Sequence, residues 1–314
     1  MPNDADFVKA MREEPESDAT LLIYADWLEE QGQASRANLI RVQVEQSRRE
    51  GASLLVGNET RWRADELPKI PGLHWSHFDR GMVWSVTVEK LEIFVENAPA
   101  IFRVAPIIGV HDRGIYESKI ASVADSPHFA LVRWLRIDAR RIYPHDLETL
   151  AQSPYLSHLK RLELRRAGYG GNPYPRPFSD QDAQTLAASP FYSNLESLAL
   201  PGNHLSDEGL RILAESPRPC ALKSLNLWQL RPEEVRGSAW FRRSPRSRQT
   251  YSSSSMREPF TQAGIDMLLM SPRLPNLMRV DCDWSRFPME YRDWAFQTMA
   301  ERTRRSQGSG SAAP

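Results

Sequence analysis

The sequence predicts an α/β fold in which one strand–turn–helix segment recurs, with parallel strands on one side and helices on the other. Three observations carry this. Five Ser-Pro pairs, at Ser126, Ser153, Ser189, Ser216 and Ser271, mark returns from helix to strand. Six residues after each serine comes an apolar position: Val132, Leu159, Leu195, Leu222 and Leu277. Middle positions (Leu135, Leu162, Leu198, Leu225, Val280) and third positions (Ile137, Leu164, Leu200, Leu227, Cys282) follow in a shared register. The stretch from Asn194 to Pro217 holds one whole unit, with strand leucines, Asn203, an amphipathic run and a closing Ser-Pro. One such unit cannot bury its own apolar face, so the others must stack on it as a solenoid.

The first element is a three-helix module over residues 1–50. An Asp4 or Asp6 cap precedes an apolar-periodic run through Phe7, Val8 and Met11 that Pro15 closes. Ser17 or Asp18 caps a second helix with Leu21, Leu22, Ala25 and Leu28 on one face, ended by Gly32. Ser35 starts a third, carrying Leu39, Ile40, Val42 and Val44. Tyr24, Asp26 and Trp27 could form a docking patch, but neighbouring helix positions point about 100° apart, so packing of Trp27 between helices is the stronger reading. The segment FVKAMREEPESDATLLIYADWLEEQG, followed by RANLIRVQ, resembles the bacterial repeat-companion domain. That resemblance implies a small helical module standing ahead of leucine-rich repeats and implies no activity. Docking onto another protein, or onto the first repeat, are its two possible uses.

Residues 51–103 read as a connector and a cap. Mixed charge with Gly51, Gly57 and Pro68 marks a loop, with a short helix around 58–64. Alternation on either side of Asp79-Arg80-Gly81 predicts a β-hairpin, with Trp75, Phe78 and Trp84 closing the end of the stack rather than forming an aromatic cage. Leu91 to Phe102 has helical spacing that Pro99 interrupts.

Residues 104–288 hold the repeats. Successive middle positions lie 27, 36, 27 and 55 residues apart, a 27-residue unit with two insertions. One insertion is GYGGNPYPRP from Gly168 to Pro177; the other, about 232–260, is predicted to be disordered. Stepping back 27 from Leu135 reaches Ile108, flanked by Ala105 and Val110, which supplies a degenerate sixth strand. A 27-residue unit with a full helix resembles the ribonuclease-inhibitor-like class of leucine-rich repeats. The resemblance implies a solenoid with strands concave and helices convex. Met289 to Arg305 reads as a final capping helix and residues 306–314 as a flexible tail.

Totals bound the function. Forty basic residues balance forty acidic ones, which removes a whole-chain argument for nucleic acid or anionic membrane. No apolar run approaches the roughly 18 residues of a spanning helix, and the acidic start MPNDADF lacks the order of a secretory signal, so a cytoplasmic chain is expected. Two cysteines, Cys220 and Cys282, give no disulfide framework.

No phosphate-cradling G-x-x-x-x-G-K, no H-E-x-x-H and no G-x-S-x-G occurs, so a non-enzymatic protein without cofactor or metal is expected. His74 and His77 alone have metal-like spacing, and Asp281 with Asp283 lacks a partner acid. Recognition of another protein is the function expected, by a monomeric chain and through residues that alternate with the core leucines. These are Trp134, Arg136, Asp138, Arg161, Glu163, Arg165, Asn226, Trp228, Arg279, Asp281 and Asp283. Adjacent parallel strands set Arg136 beside Glu163 and Asp138 beside Arg165 as ion pairs, so the strip is either a self-paired solvated face or a recognition surface. The alternative is a nucleic-acid-associated regulator using the Arg/Ser-rich insertion, whose arginines run from Arg236 to Arg257.

Overall fold

The computed structural model describes residues 3–50, 67–113, 119–139, 143–166, 178–201, 204–228 and 260–308. Five expectations lie outside them: the 58–64 helix, the Gly168 to Pro177 insertion, Asn203, the Arg/Ser-rich stretch apart from its last residue, Phe260, and the tail from 309 to 314.

The chain is α/β, and the described residues form one eight-stranded sheet whose spatial order is its sequence order. Strand β1 (Leu73–Asp79) pairs antiparallel with β2 (Met82–Val88). From β2 onward every pairing is parallel, through β3 (Gly109–Asp112), β4 (Trp134–Ala139), β5 (Arg161–Arg166), β6 (Ser197–Ala199), β7 (Ser224–Asn226) and β8 (Arg279–Asp281). The fifteen first, middle and third positions of the five Ser-Pro units are all buried, none more than 2% exposed. They share one core with the apolar residues of the intervening helices, so those helices cover that face of the sheet.

Helix α1 spans Asp4–Glu13, α2 Asp18–Glu30 and α3 Ala34–Glu50. The cap of α1 is Asn3 rather than Asp4 or Asp6: its side chain accepts from the amides of Ala5 and Asp6, and Asp6 returns a bond to the Asn3 amide. Ser17 caps α2, and Gly32, at φ 77°, lies in the left-handed region beyond its end. Next comes α4, Leu91–Val104, which runs through Pro99 without a break. Position 99 lies nine residues into that helix, and the apolar face of Leu91, Phe94, Ala98 and Ile101 holds both halves against the core.

After β3 come α5 (Ile120–Ala124), α6 (Pro144–Ala151), α7 (Asp180–Ala188), α8 (Asp207–Ala214) and α9 (Gln262–Met270), each packed on the one before it. The last helix, α10, spans Met289–Gly308 and takes in three residues expected to be tail. Among the described residues no helix is long and apolar enough to cross a membrane.

Side chains tie successive helices together at both ends. At the N-terminal end, Asp180 accepts from the amide and hydroxyl of Ser206, at 2.9 and 2.6 Å. One unit on, Asp207 accepts from the Thr261 amide at 2.6 Å, its hydroxyl at 2.7 Å and the Gly264 amide at 3.1 Å. Each aspartate therefore satisfies orphan N–H groups of the following helix. At the C-terminal end, the Ser153 hydroxyl donates to Ala124 O at 2.7 Å and that of Ser271 to Ala214 O at 2.5 Å, closing carbonyls of the preceding helix. Ser189 instead donates to Leu186 O of its own helix, at 2.7 Å, and Ser216 to Arg218 O, at 2.6 Å, so all these buried serines bond backbone at the turn but only Ser153 and Ser271 bridge two helices.

The degenerate strand is real, but its register is two residues from that predicted. Val110, not Ile108, pairs with Leu135, so the core positions are Ile107, Val110 and Asp112, and this unit is 25 residues long. Ile108 instead joins a second apolar cluster with α1 to α3 and with Met82 and Trp84 of β2.

That cluster answers where the N-terminal module docks. Arg80, in the left-handed hairpin turn at φ 46°, donates to Asp18 at 3.2 Å and to the Pro15 carbonyl at 2.9 Å, with its guanidinium 5.1 Å from the Trp84 ring. Gly81 N–H donates to the Gln43 side chain, and a Cβ at Gly81 would collide with Ile40. Helix α1 also packs on α4, where the buried Arg12 guanidinium stacks 3.9 Å from the centre of the Phe102 ring. Tyr24 is the fully buried ring of the Tyr24-Asp26-Trp27 trio, bonded to Asp4 and Arg36; Trp27 is half-buried, and Asp26 pairs with Arg41 at the surface.

Candidate functional site

The sheet face opposite the helices carries the residues that alternate with the core positions. Pairing register sets two rows across it. One runs His74, Thr87, His111, Arg136, Glu163, Ala199, Asn226, Asp281; the other runs Ser76, Ser85, Gly109, Trp134, Arg161, Ser197, Ser224, Arg279. Parallel pairing brings neighbours in a row close enough to interact.

The sequence-predicted residues fall into two groups. Trp134, Arg136, Asp138, Arg161, Glu163 and Arg165 come together on β4 and β5. Asn226, Trp228, Arg279 and Asp281 lie on β7, just beyond it, and on β8. Between them β6 presents only Ser197 and Ala199. Asp283 is not on a strand: it caps the turn Trp284–Arg286 and accepts from the Ser285 amide at 3.2 Å.

Charges in the first group pair mostly within a strand rather than across strands. Arg136 grips Asp138 with two bonds, Nε to Oδ1 at 3.0 Å and Nη2 to Oδ2 at 2.9 Å, and stands 3.8 Å from Glu163. Glu163 is held by Arg165, two residues on. The pairing of Asp138 with Arg165 expected from register is replaced by these contacts and by His111, whose Nε2 lies 3.0 Å from Asp138 Oδ2. Residues two apart on a strand share a face, and a guanidinium fork reaches that neighbour bidentately.

Burial by itself would raise the Asp138 carboxyl, but the bonds from His111 and Arg136 outweigh it and hold the group below the usual carboxylate range. In the second group, Arg279 bonds Asp281 at 2.8 Å, and Asn226 Oδ1 accepts from the Trp228 amide at 2.9 Å.

Trp134 owes its position to glycine. A Cβ at Gly109 would stand 2.8 Å from Trp134 Cε3 and 2.8 Å from Ser85 Cβ, so only a bare backbone lets the indole lean over β3. The Arg161 guanidinium lies 5.7 Å from the same ring. The Trp134 Nε1–H is buried and has no hydrogen-bond partner among the described residues. Trp228 is 36% exposed, a large ring left in solvent.

Sequence reasoning missed His111, Gly109, Ser85 and Thr87. The first two alternate with core positions in either register, since a two-residue shift keeps the face and changes only the row; the aspartate at the third core position is what displaced the register. The signal was there: Val110 with His111 has the same order as Leu135 with Arg136. His74 faces this side, on the outermost strand, while His77 is exposed and left-handed at φ 47°. Among the described residues no three His, Cys, Asp or Glu are grouped to hold a metal ion. Cys220 and Cys282 are free and buried, and burial raises both thiols, to about 11 and about 12.

No protein-family model matches the chain, and no curated protein matches it.

Proposed function

We propose that the chain is a leucine-rich-repeat solenoid that recognises a partner protein, without enzymatic chemistry, on the sheet face its helices leave uncovered. The observation that carries the reading is the cluster on β4 and β5. There two arginine–carboxylate pairs and a histidine, in rotamers already fixed by hydrogen bonds, share one partly exposed surface with the Trp134 indole. Charges held in place lose little further side-chain freedom on association, so such a surface binds at lower entropic cost than one of free side chains. Aromatic and arginine side chains are also the types that dominate interface energetics. The blandness of Ser197 and Ala199 leaves room between the two groups for a protruding partner element.

The test is crosslinking mass spectrometry in the native host, with nuclease-treated and untreated arms, comparing the natural chain with Arg161→Glu and Trp228→Ala. Both side chains are exposed, so the fold should survive. A nuclease-insensitive partner lost in both variants supports the reading. An unchanged partner set, or one that disappears with nuclease, overturns it.

A further inference from the structure

The two ends of the sheet differ in a way the uncovered face does not explain. The outward backbone of β8 is closed: Val280 N–H reaches Met299 Sδ at 3.3 Å, and Trp284 Nε1 donates to Val280 O at 3.2 Å. Such capping prevents a further strand from adding there. At the other end β1 is not closed in this way. The bond from Glu89 N to Gly72 O, at 2.9 Å, sets the antiparallel phase, in which positions 72, 74 and 76 face β2 and Trp75 faces outward. Trp75 N–H and C=O have no hydrogen-bond partner among the described residues. His77, left-handed, limits the open stretch to the part of the strand before it.

Beside that edge lies a cavity of about 490 Å³ walled by Leu67, Pro68, Ile70, Trp75 and Phe78. The Trp75 indole is fixed by a bond from its Nε1 to Pro68 O at 3.2 Å. The other lining includes Lys69 and His74, both exposed, and among the described residues no carboxylate.

We propose that the open edge of β1 docks a short extended segment of a partner protein that bears carboxylates, adding as a ninth strand and seating an apolar side chain against Trp75. An exposed strand supplies main-chain hydrogen bonds and the adjoining cavity supplies side-chain selectivity. The charge at the rim chooses the sign of the partner. A second copy of the chain would bring its own Lys69 to the same place, like charge against like, and is not the occupant.

The probe is a synthetic peptide in which Val, Thr and Leu alternate between terminal Asp residues, with a Lys-ended version as control. Hydrogen exchange over residues 67–79 of the full chain is the readout. The Trp75 amide is expected to slow about tenfold on saturation with the Asp-ended peptide. Lys69→Glu and Ile70→Ala, both outside regular structure, are expected to weaken binding about fivefold each, and Lys69→Glu should reverse the preference between peptides. Unchanged melting temperatures for the variants would show that the fold is intact. Equal binding of the two peptides, or no slowing at Trp75, overturns the proposal. So does a Trp75 amide already protected without peptide, whether at all protein concentrations, which means the chain covers its own edge, or only at high ones, which means a second copy does.

Discussion

Asp138 shows how one residue carries both fold and surface. It accepts from His111 and Arg136 while burial works against its charge, and the bonds win. A carboxyl held lower in the folded than in the unfolded chain contributes stability that is complete above the unfolded value. That contribution is lost as pH falls through the folded one. Asp138→Asn is therefore expected to destabilise the chain at neutral pH, by a margin that persists down to about pH 4 and shrinks below it. Urea denaturation of both proteins across the acid range checks this, and a gap independent of pH would contradict it. The alternation of Arg136 and Asp138 with core leucines is legible in the sequence. Their choice of each other over strand neighbours is not, because side-chain reach within a strand competes with cross-strand pairing at similar distance.

At the scale of the element, the helices are specified by small polar residues as much as by apolar periodicity. Gly209 lies where Asp180 crosses from the helix before, and a Cβ there would collide with Asp180 Oδ1 and come 2.9 Å from Leu205 Cδ2. Gly264 stands in the same relation to Asp207. Helix propensity by itself favours alanine at such a position by about 1 kcal/mol. Gly209→Ala is nonetheless expected to cost about 1–3 kcal/mol, because the carboxylate pinned by Ser206 cannot move aside. In an Asp180→Ala background the same substitution should be close to neutral, so a double-mutant cycle measured by urea denaturation should show strong coupling. Additive effects would contradict the contact. The repeated S-D-x-x and T-x-x-G signals are plain in the sequence as caps, whereas their role in joining one helix to the next needs the packed pair to be seen. Pro99 marks the opposite limit: a local rule predicts a break, and burial of the flanking turns overrides it.

For the molecule as a whole, the N-terminal module is part of one packed body with the hairpin. Its apolar cluster is completed by Met82, Trp84 and Ile108, so removing it would expose residues that are buried in the intact chain. Arg80 is the clasp, only 13% of its side chain being exposed. Arg80→Ala is expected to lower stability by about 2–3 kcal/mol through loss of the Asp18 and Pro15 bonds and the Trp84 stacking. Exchange protection should fall over residues 4–48 more than over β4 to β8. Uniform loss across the chain would show that the clasp is not local. The ladder from Asp207 to Thr261 has the same meaning at the other end, since residues 54 apart in sequence meet at 2.6 Å.

The sequence by itself determined the α/β class, the five-unit register, the hairpin and the helix ends at Ser17 or Asp18 and at Gly32. Each rests on local periodicity, turn chemistry or capping, which short windows contain in full. Only the tertiary structure decided that the first unit is two residues shorter and brings His111 into the charged cluster. It also decided that Arg80 clasps the helical module, and that one edge of the sheet is capped while, among the described residues, Trp75 is left open at the other. Those outcomes depend on which side chains meet across segments tens of residues apart, where packing and desolvation choose among contacts that local pattern leaves equivalent.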